Sequence, residues 1–496
     1  MKEKSIFSNQ TFIVSTLLLA LAVAFVTFYS FSTSPLFNNY EYVDSSIYKV
    51  IGRGWVDGLV PYVDLWDQKG PLIYFINAVG YWIAGSDIGV WLLQCGFAFV
   101  SLLLAYRFFR TSMSTSMSIM FVLLVMVSLI QTYNCGNNVE EYNIPFLMAS
   151  LFGAYSWADK VQTSGEVDHS PWLAAIYGIT FAVAAAMRLT NALGVAFAML
   201  VIIFMLIRHG RWKNLLSNAL WFVGAFVAGL LPFVIYYAAK NALPDLWFGA
   251  IGFNLNYAQA SNIPTTIVGW IKQILINING YLTIFFGIVL ILCTKRKLIG
   301  AMFVLSPLPL VLWIVYSLGY WHYSMLLLPY LCLLIREGYL LYKTSSKKLS
   351  RHALLFVCML LVLFHCATGA RITADVPSKN NEAKAIFDTY GDLIKRIPNW
   401  GKEDIVLYST HPETYIIYGI TPRHKFFNAG DFLADVSPRY RQMLLEEYNT
   451  NPPKWLICKT KKSGKFPGYI RPIVEKKYTP VSQQGEATLF CLNSDQ

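Results

Sequence analysis

The chain has 496 residues, of which 55% are hydrophobic and only 14% charged, and its mean hydropathy is +0.46. That is too apolar for a soluble domain of this size and marks a polytopic α-helical membrane protein. A net charge of +12 without clustered base-reading arginines or a nucleic-acid motif excludes nucleic acid as the partner, and basic loops at the cytoplasmic face account for it instead.

A crossing needs about 20 apolar residues, with Lys and Arg gathering at its cytoplasmic end. Thr11 to Phe31, behind Lys2 and Lys4, is the first and reads as a retained anchor, not a cleaved signal. It leads to an acidic, aromatic stretch, Asn38 to Leu72, which holds Glu41, Asp44, Asp57, Asp64 and Asp67 among Tyr40, Tyr42, Tyr48, Trp55, Tyr62 and Trp66. Within it Ser45 to Trp55 has helical spacing, and the following Pro71 to Ala84 is apolar but short. Both are expected to lie in the interface. Asp87 reads as a cap before the inward crossing Ile88 to Phe109.

Met117 to Thr132 crosses outward to a second polar loop with Glu140 and Glu141, and Ile144 to Ala158 returns. Trp172 to Ile207 is about 36 residues, roughly 54 Å as one helix against a hydrocarbon core of about 30 Å. It therefore divides into two crossings, broken at Met187-Arg188-Leu189-Thr190-Asn191. Asn214 to Ala239 leads to a mixed external stretch, Lys240 to Asn279. Tyr281 to Cys293, Leu298 to Leu318, Ser324 to Tyr342 and Ala353 to Ala370 complete about eleven crossings.

The N-terminus is then cytoplasmic and the C-terminal region extracytoplasmic, in the plasma or inner membrane of a bacterium. Residues 1–375 read as the transmembrane module and 376–496 as a small extracytoplasmic α/β domain. In that domain Asp404 to Ser409, Lys454 to Cys458 and Ala487 to Cys491 are expected strands, and Pro412 to Tyr418 and Pro438 to Tyr448 expected helices. Its basic run Lys459 to Lys465 reads as a solvated hairpin.

Of eight cysteines, Cys95, Cys293, Cys332, Cys358 and Cys366 lie in apolar segments as small core residues. Cys458 and Cys491 are candidates to pair in an oxidising compartment, with two free thiols as the equal alternative.

This topology gathers the unusual polar residues at span ends on one side: Asp44, Asp67 and Lys69, then Glu140 and Glu141, Arg188, and His322 with Tyr323. Activating a hydroxyl acceptor needs a carboxylate to take its proton, and displacing a phosphate needs a cation for the developing charge. A membrane-embedded lipid phosphate sugar suits such a site as donor, because nucleotide sugars are not generally available outside the cytoplasm. Each residue also has a plainer reading. Asp44 is a candidate helix N-cap. Asp67 with Lys69 is a candidate interfacial ion pair, and Glu140 and Glu141 a helix end meeting water. Arg188 either finds a phosphate or snorkels to the interface, and His322 is a neighbour of the Tyr320 and Trp321 belt. One acidic pair does not specify a metal site, so no cofactor is assigned and a divalent metal stays open.

The order Val43-Asp44-Ser45, Gly58, Pro61-Tyr62, Asp64 and Asp67-Gln68-Lys69-Gly70-Pro71-Leu72 resembles the first extracytoplasmic loop of GT-C membrane glycosyltransferases. It is nearest to the branch with protein O-mannosyltransferases and lipid A aminoarabinose transferases. The NNVEEYNIPF, MRLTN and HYSMLLLP stretches are similar to features of bacterial members, so the resemblance spans roughly residues 10 to 370. It implies inverting transfer from a polyprenyl-phosphate sugar to a glycan, lipid or protein acceptor, with Asp44 as general base. The sequence departs from that pattern at Ser45, where an acidic residue often follows, and at Gly70, where a second proline is common. A transporter or flippase of lipid-linked sugars is the alternative, but it calls for midplane charges and repeated halves. A membrane-anchored binding protein acting through its C-terminal domain is a third reading, and that domain has no site-like cluster.

Overall fold

The computed structural model describes residues 2–37, 42–133, 135–257, 266–317, 320–344, 348–408, 410–428, 430–460 and 468–493, with backbone only at 2–9, 348–351, 353–355, 357–358 and 376–383. Tyr40 and Glu41 of the acidic stretch, Gly319, Lys347 and most of the basic run Lys459 to Lys465 lie outside the described residues. The helices are α1 (Lys2–Tyr29), α2 (Val43–Val56), α3 (Pro71–Ala84), α4 (Asp87–Arg110), α5 (Thr115–Tyr133), α6 (Val139–Ser164), α7 (Pro171–Ala185), α8 (Leu193–Arg208), α9 (Trp212–Ala239), α10 (Leu243–Trp247), α11 (Phe253–Tyr257), α12 (Ile267–Ile276), α13 (Ile278–Cys293), α14 (Lys297–Leu305), α15 (Pro307–Tyr316), α16 (Leu328–Thr344) and α17 (Lys348–Ile394). In the C-terminal region β1 (Ile405–Tyr408), α18 (Glu413–Ile417), α19 (Asp431–Val436), α20 (Pro438–Thr450), β2 (Trp455–Lys459), α21 (Arg471–Lys477), β3 (Tyr478–Gln484) and β4 (Ala487–Leu492) follow.

Among the described residues seven helical stretches are long and apolar enough to cross a bilayer, or eight if α12 and α13, bent by 73° at Asn277, form one span. This is a multi-pass membrane protein. The eleven expected crossings also draw on α6, α7 and α17, which fall outside that set. Of these, α6 carries Glu140, Glu141, Asp159 and Lys160, and α7 has only 15 residues. The helices expected at Ser45 to Trp55 and Pro71 to Ala84 form. In α2, Ile47, Val50 and Ile51 are buried, and α3 opens on Pro71, where a missing N–H costs nothing, and closes on left-handed Gly85.

The chain divides into two compact units. The first comprises residues 1–30, 93–232 and 261–374. One end of it is tied by a buried charge network. Glu337, fully buried, accepts from the Tyr155 hydroxyl and pairs with Arg296, which also reaches Asp159 at 2.6 Å, while Arg336 stacks on Phe108 and Tyr155. Gly136, at φ +78°, leads into α6 by passing so close to Ser30 that a Cβ there would lie 2.1 Å from its hydroxyl.

The second unit comprises residues 31–92, 233–260 and 375–496. Its sheet has the order β1-β2-β4-β3, with β1 and β2 parallel and the other pairs antiparallel. Three strands and two helices match the expected pattern. The strand β3, half polar with Pro480 inside it, is additional, and residues 376–394 continue α17 instead of starting the α/β pattern. Register settles the cysteines. Cys458 lies opposite Thr488 and Cys491 opposite Trp455, so the two are three positions out of register and on opposite faces, and both thiols are free.

The centre of this unit is Lys49, which is fully buried. Its ammonium donates to the Ser32 carbonyl at 2.7 Å, to Asp87 at 2.9 Å and to Glu413 at 2.7 Å. Ser46 supplies a second hydrogen bond to Glu413 at 2.6 Å, and the Tyr81 hydroxyl donates to Asp87. Asp87 opens α4 as expected of a helix start, but its work is to hold this lysine. Burial pulls the Lys49 ammonium down, and the two carboxylates more than offset it, so its pKa is raised. Arg53, one turn on, donates to the carbonyls of Tyr415 and Ile420, so α2 is gripped along its length by the α18 region.

Replacing Lys49 by Met strands two carboxylates and is expected to cost about 3–5 kcal/mol. Lys49→Met combined with Glu413→Leu recovers part of that. Thermal unfolding of the purified variants in detergent checks both. A Lys49→Met protein melting with the wild type means the triad does not hold the unit.

Candidate functional site

The eight candidate residues fall into two groups, one in each compact unit. In the second unit Asp44 is the second residue of α2. The N-cap is Tyr42, which makes no side-chain cap, so capping does not explain Asp44. Its Oδ2 lies 3.7 Å from the Lys69 ammonium and accepts from the Tyr48 hydroxyl, one turn along, at 3.3 Å. The exposures differ: the Asp44 side chain is 35% exposed and that of Lys69 8%. A reactive carboxylate needs this combination of an open face and a fixed back.

Lys69 is fixed by tyrosines. Its N–H donates to the Tyr74 hydroxyl at 3.0 Å and its carbonyl accepts from the Tyr62 hydroxyl at 2.6 Å. The Tyr74 hydroxyl in turn donates to Asp67 at 2.7 Å. Tyr62 sits at φ +71°, and Gly249 packs on its ring where a Cβ would approach to 2.4 Å. Asp67 is therefore a buried anchor within the loop. Burial pushes its carboxyl up, partly countered by Lys69 and by the Tyr74 hydrogen bond.

The residue before Asp67 is held just as firmly. The Trp66 backbone N–H donates to the Lys425 carbonyl at 2.9 Å, and its ring packs on Tyr440, Phe253, Phe248 and Phe426. Tyr48, Tyr62 and Trp66 of this loop are scaffold for the Asp44–Lys69 pair.

In the first unit Glu140, fully buried at the start of α6, accepts from Arg188 at 2.6 Å, and His322 Nε2 lies 3.9 Å from its other oxygen. The Arg188 guanidinium sits 4.5 Å over the Tyr323 ring, which stacks on Trp313 and meets the His322 ring edge-on. Arg188 thus has a carboxylate and a ring as partners, and its side chain keeps 17% exposure.

Glu141 has a different task. It accepts from the Tyr133 hydroxyl, from Gln94 at 3.0 and 3.1 Å and from the N–H of Asn137 at 2.9 Å, and it closes a capping box with Asn138. The Asn-Val-Glu-Glu spacing carried that signal. Among the described residues no group of three or more His, Cys, Asp or Glu is placed to hold a metal ion, and the lone carboxylate Glu140, already paired with Arg188, does not fit one.

No protein-family model matches the sequence, and no curated protein is similar to it in sequence. Similarity appears in the fold. The crystal structure of ArnT from Cupriavidus metallidurans bound to undecaprenyl phosphate superposes with a TM-score of 0.60 at 12% identity, covering 97% of this chain and 98% of that one. Its apo form gives 0.56 at 11% identity over the same shares. The Archaeoglobus fulgidus oligosaccharyltransferase tethered with an acceptor peptide gives 0.49 at 12% identity over 94% of this chain and 72% of its own. End-to-end coverage at this similarity fixes the architecture, and the chain is built on the GT-C fold, the membrane fold of the aminoarabinose transferase ArnT.

Proposed function

We propose that the protein is an integral membrane glycosyltransferase that moves a sugar from a polyprenyl-phosphate donor to a glycan, lipid or protein acceptor on the extracytoplasmic side. The observation that carries this reading is the Asp44–Lys69 pair, a half-open carboxylate backed at 3.7 Å by a nearly buried ammonium. The undecaprenyl phosphate bound to ArnT, whose fold this chain shares, supports the choice of donor.

In this reading Asp44 takes the proton of the acceptor hydroxyl as its oxygen attacks the anomeric carbon. The bond from that carbon to the phosphate oxygen breaks in the same displacement, and its electron pair leaves with the polyprenyl phosphate. One displacement inverts the anomeric centre. Lys69 supplies positive charge for the departing phosphate and holds Asp44 in line. Asp67 and Tyr74 position Lys69 and do not meet substrate. Arg188, His322 and Tyr323 take substrate contacts in the first unit, with Glu140 setting the orientation of Arg188, while Glu141 builds the turn before α6. The N-terminus is placed in the cytoplasm and the C-terminal region outside, as the basic loops direct. The helix breaks at residues 186–192 and at Asn277 are the one feature that also suits a transporter of lipid-linked sugars.

Asp44→Asn keeps the side chain's size and removes the base, so transfer should fall by about 10²- to 10⁴-fold with the melting temperature unchanged. Mass analysis of lipid-linked sugars and surface glycans in cells matched for expression reads this. A wild-type glycan profile from Asp44→Asn rejects the transferase reading and moves the transporter forward.

Tyr74→Phe leaves the buried Asp67 carboxylate without its donor. We expect a loss of about 1–3 kcal/mol in stability together with slower transfer. Asp67→Asn in the same background should restore stability but not the rate, as calorimetry and the glycan assay together would record.

A further inference from the structure

Between the end of α7 at Ala185 and the start of α8 at Leu193 the chain makes a 3₁₀ turn over Leu189–Ala192 that packs on α6. Polar atoms at this turn outnumber their partners. Asn191 is 1% exposed, and among the described residues neither its Oδ1 nor its Nδ2 has a hydrogen-bond partner. Thr190 Oγ1, Asn143 Oδ1 and Glu140 Oε2 are also buried without one.

These residues belong together. Glu140 and Asn143, three apart on α6, share a face. Glu140 is bound to Arg188 at 2.6 Å, and the Asn143 amide contacts Met187 Sδ at 3.1 Å, so both are tied to the same turn. Native proteins hold only a few such orphan atoms, and each calls for a water or a ligand. Leu189 is exposed and Thr190 partly so, which gives the turn an open edge.

The chemistry of the orphan set selects its ligand. It offers one amide N–H₂ and one hydroxyl as donors, and three acceptor oxygens on Asn191, Asn143 and Glu140. Arg188 is already neutralised by Glu140. An ionised phosphate, which only accepts, would meet those three oxygens unfavourably. A group that both donates and accepts at adjacent positions matches them, and in a transferase that group is a sugar with its neighbouring hydroxyls.

Resting on the transferase reading above, we propose that the α7–α8 turn seats hydroxyls of a substrate sugar, with Asn191 as principal contact and Thr190, Asn143 and Glu140 completing the niche. Asn191 is then a specificity residue whose orphan amide is kept at the expense of the unliganded protein's stability.

The test uses the purified full-length protein in detergent, melted alone, with a short-chain prenyl phosphate, and with the same lipid carrying a hexose or a pentose. The wild type should be stabilised by the bare lipid and further by at least one sugar-bearing form. Asn191→Leu should melt at or above the wild type when unliganded, keep the bare-lipid shift, and bind the sugar-bearing lipid at least tenfold more weakly. Thr190→Val, at the open edge, should show the same pattern more weakly and serves if Asn191→Leu does not fold. An unliganded Asn191→Leu that folds but melts below the wild type overturns the niche, since the amide then has a structural partner. So does a sugar increment that survives in both variants, or a wild type that gains nothing from any sugar. If neither bare nor sugar-bearing lipid stabilises the wild type, the transferase reading itself fails.

Discussion

Lys49 is the point on which the second unit turns. A lysine with no exposed surface is tolerated only because three acceptors from three separated parts of the chain close around it: the Ser32 carbonyl after α1, Asp87 opening α4 and Glu413 in α18. It sits five residues beyond Asp44 on the same short helix, so whatever sets Lys49 also sets the carboxylate. Hydrophobic packing alone would let a 14-residue helix rotate or slide. A buried charge with fixed partners does not.

The two groups of polar residues are built on opposite principles. Around Asp44 and Lys69 the support is aromatic, with Tyr48, Tyr62 and Tyr74 offering hydroxyls from rigid, buried rings. Each ring costs little entropy to hold and leaves one polar atom in a set place. Around Glu140 and Arg188 the support is a broken helix and a 3₁₀ segment, Trp321–Leu327, which bring backbone irregularity and polar side chains into an apolar body. Irregular backbone inside an apolar body is tolerated only where protein or a cavity satisfies it.

Much of the architecture was legible in the sequence because hydrophobic run length and the placement of Lys and Arg are strong signals. The α2 and α3 helices, the break at Arg188 and three of four strands follow from spacing. Less legible were contacts between residues far apart in sequence. Lys49 falls within the expected helix Ser45 to Trp55, and nothing in its neighbourhood points to Glu413. The roles of Tyr62 and Tyr74 were hidden because a ring's hydroxyl partner cannot be read from composition. Glu141 was grouped with Glu140 by adjacency, although neighbours on a helix point about 100° apart and here perform different tasks. The Asp44–Lys69 pairing was within reach, since both stand in one loop, while the orphan amide of Asn191 was not.

The distance along the chain between Lys49 and Glu413, 364 residues, also orders biosynthesis. At about 5–20 residues per second the ribosome needs roughly 20–70 s to deliver Glu413 after Lys49 has emerged. Through that interval the ammonium lacks its third partner, and α2 cannot settle into its final seat. A chain released before Glu413 therefore carries Asp44 on a helix whose lysine has only two of its three partners.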